Sequence, residues 1–182
     1  MRDPVNQTSH GVTIRLATPS DALQLARFRY AFRSSLSAVS ENEEEFIKRC
    51  ASWMQERLRE PSAWKCWMAE RDLTPVGHLW LQLVEKIPNP IVEPEYHAYL
   101  TNFYVREEAR GVGIGSMLLS AALAWSRTHH VHAAILWPTP QSRSLYLRNG
   151  FAVRDDLMEL IVDAGGFAQK TKERSPIGTE CL

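Results

Sequence analysis

The sequence has few cysteines, no charge of one sign in excess and no long apolar run. Its three cysteines stand at Cys50, Cys66 and Cys181, an odd and widely spaced set with no Cys-x-x-Cys. A disulfide framework and a cysteine-based zinc site are therefore poorly supported, and reduced thiols in a cytoplasmic protein are the plain reading. No stretch approaches the roughly 18 consecutive apolar residues of a membrane span. The first ten residues are polar and lack the apolar core of a secretory signal. Lysine and arginine number 21, as do aspartate and glutamate, and the isoelectric point is near 7.0. That balance gives no pull toward nucleic acid or an anionic membrane. There is no internal repeat and no low-complexity block.

What remains is ordinary globular usage over 182 residues, with 45% hydrophobic and 23% charged. That length suits one domain able to bury its own core. Residues 1–10 read as a flexible leader, 11–163 as the domain and 164–182 as a flexible tail. Residues 12–16 alternate apolar and polar as a strand does. Thr18-Pro19-Ser20-Asp21 opens a helix running to about Arg33, and Ser40-x-x-Glu43 opens a second that continues to Pro61. Strands are expected at 64–70 and 76–84 around a turn, then at 97–105 after a proline-bearing connection. A helix over 116–127 and an apolar strand over 133–137 follow. Pro140 opens another helix, which stops at Asn149-Gly150. Residues 151–153 and 157–162 are expected as closing strands. The order β-α-α-β-β-β-α-β-α-β-β is that of a mixed α/β domain.

The sharpest local signal is Arg110-Gly111-Val112-Gly113-Ile114-Gly115-Ser116, lying between a strand and a helix. Glycines permit positive φ and close approach, while a helix start offers unpaired N–H groups and the positive end of its dipole. Together these make an anion cradle. It is not a Walker loop, because no lysine precedes Ser116. It is not a dinucleotide fingerprint either: the spacing is Gly-x-Gly-x-Gly, and 131–147 contains no acidic residue to hold a ribose.

Arg110-x-x-Gly113-x-Gly115 resembles the Gln/Arg-x-x-Gly-x-Gly/Ala signature of the GNAT superfamily of N-acetyltransferases. Leu145-Tyr146-Leu147-Arg148-Asn149-Gly150-Phe151 is similar to its second signature, Leu-Tyr-x-x-x-Gly-Phe. The two stand in the right order, separated by a helix and a buried strand, and the resemblance spans about residues 12–163. It implies a single-domain mixed sheet, mostly antiparallel, flanked by helices and splayed in the middle. It implies acetyl-CoA as co-substrate, no metal, and transfer of an acetyl group to an unidentified amine. A homodimer is an expectation by fold analogy alone.

The resemblance also assigns residues. Arg110, Gly111, Val112, Gly113, Ile114, Gly115 and Ser116 would hold the pyrophosphate. Phe103, Tyr104 and Val105 would pair through their main chain with pantetheine. Tyr146 would be the general acid, against the alternative of a packed core ring. Thr139 occupies a place where the family often has Asn, and carries over only as a hydroxyl of shorter reach. Tyr99 stands where some members have a Glu base. His97, on the same strand face by alternation, is the candidate base, balanced against a structural histidine. Asn102 points to the other face unless a bulge intervenes. His129, His130 and His132 read as helix C-terminal histidines rather than metal ligands. The run from Glu41 to Glu45 reads as helix-start stabilisation, with attraction of a cationic acceptor as the alternative. Trp53, Trp64, Trp67 and Trp80 are expected mostly in the core, with an acceptor-pocket wall as the alternative. The rival from another class is a non-catalytic acyl-CoA-binding sensor.

Overall fold

The computed structural model describes residues 7–9, 11–160 and 162. Most of the expected leader, and the expected tail from 164 to 182, lie outside the described residues. Gln7–Ser9, expected within the leader, instead forms a short edge strand, β1, paired antiparallel with β2 (Val12–Leu16). The sheet continues through β3 (Trp64–Arg71), β4 (Thr74–Glu85), β5 (Tyr96–Val105) and β6 (Val131–Ile135). It has six strands in chain order. Every neighbouring pair is antiparallel except β5 and β6, which run parallel. A parallel pair needs a long crossover, and helix α3 (Ile114–Thr128) supplies it.

Strand alternation divides the apolar residues between two faces. Trp67, Ala69, Leu79 and Leu81 pack with Leu118, Ala122 and Trp125 of α3 on one face. Cys66, Met68 and Trp80 pack on the other, under α1 (Ala22–Ser34) and α2 (Glu43–Arg57). The β3–β4 hairpin turns on Asp72 and Leu73, both at positive φ, as two-residue hairpin loops require.

Several boundaries differ from expectation for local reasons. The cap of α2 is Asn42, whose Oδ1 accepts from the N–H groups of Glu44 (2.9 Å) and Glu45 (3.3 Å), and not Ser40. The helix ends at Arg57, short of Pro61. Glu43, Glu44 and Glu45 occupy its first turn, and Glu41 pairs with Arg49. The acidic run thus serves the helix start. β6 begins two residues earlier than expected. The last helix, α4, spans Arg143–Arg148 rather than starting at Pro140. Residues 139–142 instead form a turn in which Ser142 N–H donates to the Thr139 carbonyl at 3.0 Å. No strand forms at 151–153 or 157–160. A strand needs a ladder partner, and among the described residues the sheet ends at β6 without extending to 151–153 or 157–160. Arg154 bonds instead to Asp156, which bends the chain.

One buried polar side chain carries a stability consequence. His78 on β4 is fully buried and stacks on Phe28 of α1 at 5.5 Å. Neither ring nitrogen makes a hydrogen bond by geometry, although Asn102 lies near enough to favour the charged ring slightly. Burial dominates and pulls the imidazole down to about 4. Between pH 6.5 and 4 the unfolded chain therefore binds a proton that the folded chain refuses, so stability falls as pH falls through that window. His78→Leu should abolish this loss. Chemical denaturation at pH 7 and 4.5 should show the native protein losing about 2–3 kcal/mol more than the variant; equal losses would refute the assignment.

Candidate active site

The sheet parts beside β5. Pairing with β6 covers only Tyr96 to Tyr99 and ends at the Tyr99–Ile135 pair. From Leu100 to Val105 no residue of β6 faces β5, so among the described residues that edge, apart from the Val105 carbonyl, has main-chain groups open to an extended ligand. Its side chains serve packing instead. Phe103 and Val105 pack against the α3-side core, while Tyr104 lies against Phe28 and Phe32 of α1.

A bulge lies in the same stretch. Trp80 pairs with Thr101 and His78 with Tyr104, leaving Asn102 and Phe103 opposite Leu79 alone. Asn102 has φ +48, a left-handed conformation that Asn tolerates better than most residues. The extra residue reverses the alternation. Asn102 consequently joins Tyr99 and Thr101 on the α1–α2 face, the face a regular strand denies it.

The strand leads through Glu107–Ala109, one turn of tight helix, into the glycine turn. Gly111 and Gly113 sit at φ +82 and +88, and a Cβ at either would meet nothing within 4 Å. Gly113 is the N-cap of α3, whose first turn has no side-chain cap. Its leading N–H groups thus have no side-chain cap and lie at the positive end of the helix dipole, beside open space at Gly111 and Gly113. Ile114 is buried and anchors the turn, whereas Val112 is exposed. Arg110 is exposed, and its Nε donates to the Val105 carbonyl at 3.0 Å, tying the turn to the end of β5. Ser116 is half-buried at the helix start.

Tyr146 on α4 is brought to this place. Its ring packs between Phe103 (6.3 Å) and Phe151 (5.5 Å). A Cβ on Gly115 would touch Phe103 and Leu145, so α3, β5 and α4 converge here. Tyr146 is buried, and its hydroxyl has no hydrogen-bond partner among the described residues. Burial pushes the phenol up to about 12. Thr139 closes its own turn: its hydroxyl donates to Ser142 Oγ (3.0 Å) and accepts from Ser142 N–H (3.3 Å).

His97 is not brought to Tyr146. It precedes Phe103 by six positions, on the order of 20 Å along a strand. Its ring stacks on His132 at 5.4 Å, near Lys86 and Glu93, and burial together with His132 lowers its pKa. His129 stacks on Trp125 at the end of α3. No group of three metal-ligating side chains occurs among the described residues.

On the α1–α2 face lies a cavity of about 420 Å³. Phe46, Trp53, Trp64, Trp80 and Tyr99 wall it, while Trp67 packs in the opposite core. Arg29 reaches in from α1, and its Nη1 donates to Asn102 Oδ1 at 3.2 Å. Burial, and to a lesser degree the charge of Arg33, lower its pKa. The sequence reading passed over Arg29, although a signal was there. It falls in the inward stripe of Ala22, Leu25 and Ala26, where a cation is out of place.

Fold and site together define a class: a mixed α/β domain whose sheet parts beside β5 and whose next helix starts at a glycine turn. The Acetyltransferase (GNAT) family profile matches residues 26–151. The chain belongs to that family, and acetyl transfer is its general chemistry. No curated protein matches the sequence significantly. Among solved structures, a GCN5-related N-acetyltransferase from Ralstonia eutropha is similar, with TM-score 0.69 and 22% identity over 84% of this chain and 100% of its own. A predicted acetyltransferase from Clostridium acetobutylicum, solved with acetyl-CoA, gives TM-score 0.68 and 19% identity over 82% and 96%. Glucosamine-6-phosphate N-acetyltransferase from Arabidopsis thaliana gives 0.62 and 15% over 84% and 99%. At these identities the likeness is one of fold. No helix among the described residues is long and apolar enough to cross a membrane.

Proposed function

We propose that this protein transfers an acetyl group from acetyl-CoA to a primary amine by direct attack. The observation that carries the reading is the open edge of β5 from Leu100 to Val105, leading into the uncapped start of α3 at Gly113. The edge suits the amides of pantetheine, and the turn suits a pyrophosphate. Acetyl-CoA supplies the thioester carbonyl and the thiolate leaving group.

The protein's own groups do the rest. Main-chain groups around Phe103, Tyr104 and Val105 align the carrier, and one N–H faces the carbonyl oxygen as charge develops there. The Tyr146 hydroxyl, unpartnered and protonated at neutral pH, donates to the departing sulfur. Among the described residues, no carboxylate or imidazole lines the cavity. The like charge of the nearby Arg29 disfavours an ammonium, so the acceptor amine enters neutral after losing its proton to water. Cys50 also lines the cavity, but burial raises its thiol pKa, which suits a wall and not a nucleophile.

Calorimetric titration with acetyl-CoA, followed by thiol release across an amine panel, tests the reading. Binding with release supports it. Binding without release for any amine would make the protein an acyl-CoA sensor, and absence of binding would end both accounts. His97 is given no step. His97→Gln should leave kcat within about three-fold and the pH profile unmoved; a fall of the size expected for a lost base, about 100-fold, would restore His97 as the base.

A further inference from the structure

The cavity on the α1–α2 face contains a cation without a carboxylate. Arg29 is half-buried, and its one side-chain partner is the neutral Asn102 amide. The second arginine of the wall, Arg49, is already paired with Glu41. Arg33, one turn further along α1, adds positive charge and no compensation. Among the described residues, no Asp or Glu lines the cavity. A half-buried guanidinium with free donors and no counter-ion, set among aromatic rings, is matched by a ligand that brings both a carboxylate and a large apolar body.

The position of Arg29 limits where the ligand's amine can be. Its bond to Asn102 places the guanidinium beside the β5 bulge, one residue from Phe103, where the parted edge begins to serve the carrier. A carboxylate seated on Arg29 therefore holds an amine near that edge only if the two groups are a bond or two apart. The apolar body then extends among Trp53, Trp64 and Trp80, whose rings lie 5.2 to 6.1 Å from one another.

From this geometry we infer that the acceptor is a free α-amino acid with a large apolar side chain, its carboxylate bound by Arg29 and its side chain by the tryptophan wall. The inference rests on the acetyl-transfer reading above and adds the acceptor class to it. In the reaction a C–N bond forms between the amine and the acetyl carbon and the C–S bond breaks. The neutral amine sheds a second proton to water as it is acylated, the sulfur takes one from Tyr146, and Tyr146 regains a proton from water. The products are an N-acetyl amino acid and free CoA.

The test uses the full chain and two probes, L-phenylalanine and L-phenylalaninamide, which differ in the carboxylate. Thiol release is expected to show kcat/KM at least about 50-fold higher for the acid, a range that a charge-assisted bidentate contact supplies. Arg29→Gln should remove that preference by lowering the value for the acid alone, and Arg29→Lys should restore part of it. Equal turnover of acid and amide, or an equal fall for both in Arg29→Gln, overturns the inference. Calorimetric titration of each probe without any CoA separates its failure from that of the parent reading. Phenylalanine binding that is lost in Arg29→Gln supports the site even if acetyl-CoA fails to bind. Absence of phenylalanine binding, with acetyl-CoA bound normally, overturns the acceptor class and leaves the parent reading standing. Thermal melting guards against a folding artefact: removal of an uncompensated cation should leave the Arg29→Gln melting temperature at or above that of the native protein, and a drop of more than about 5 °C would move the comparison to Arg29→Met.

Discussion

Tyr146→Phe is expected to lower kcat about 100-fold while leaving acetyl-CoA affinity within about two-fold, as measured by steady-state thiol release and calorimetry. The prediction follows from what the hydroxyl does not do. The ring is fixed by Phe103 and Phe151, and Phe keeps those contacts. The hydroxyl has no partner among the described residues, so deleting it leaves no broken bond behind and costs little stability. A phenol pushed up to about 12 is a weak acid, yet the same desolvation raises a thiol at its side, as burial does to Cys66. Donor and leaving group thus shift together, and the proton remains available to the sulfur. The sign of the pH effect is also fixed. Tyr146 stays protonated through the ordinary assay range, so no basic limb of kcat below about pH 11 belongs to it. A Phe variant that turns over as fast as the native enzyme would remove Tyr146 from the chemistry.

The parts of the site that were readable in the sequence are those fixed by neighbours along the chain. The glycine turn and the Tyr146 helix with its Gly150 stop are local: Gly111, Gly113 and Gly150 all occupy positive φ, which residue type alone signals. Asn102 was not readable in the same way. Its face depends on a bulge, and the bulge exists only because β4 and β5 shift register against each other between His78 and Trp80. The expected strands after Phe151 failed for a related reason. Their residues have strand propensity, but a ladder partner is a tertiary fact. The acceptor cavity lay between these cases. Trp53, Trp64, Trp67 and Trp80 all had a wall among their readings, and the structure takes Trp67 out of it by packing it on the opposite face. Arg29 was legible as a cation inside an apolar stripe, and what gave it meaning was the absence of any carboxylate opposite it, which no single segment displays.

The largest effect on acetyl-CoA binding is expected from Gly113→Val, a rise in Kd of at least about 50-fold. At φ +88 a β-branched residue is strained, by roughly 1–2 kcal/mol for the left-handed conformation. Relaxing that strain turns the leading amides of α3 out of their present direction. If the backbone holds instead, the valine methyl groups fill the space before the helix start, because among the described residues nothing beyond the local chain lies within 4 Å of the new Cβ. Either response removes the place where a phosphate meets the helix dipole. Stability alone would not distinguish this from general damage, so a matched variant is needed. Gly11→Val provides it: Gly11 has φ +74 and equally open surroundings, but lies in the β1–β2 turn. Both variants should lose a similar 1–2 kcal/mol, roughly, in chemical denaturation, and only Gly113→Val should lose acetyl-CoA by calorimetry. Native affinity in Gly113→Val would mean that the carrier's phosphates bind elsewhere, and the acetyl-CoA site would have to be moved off the start of α3.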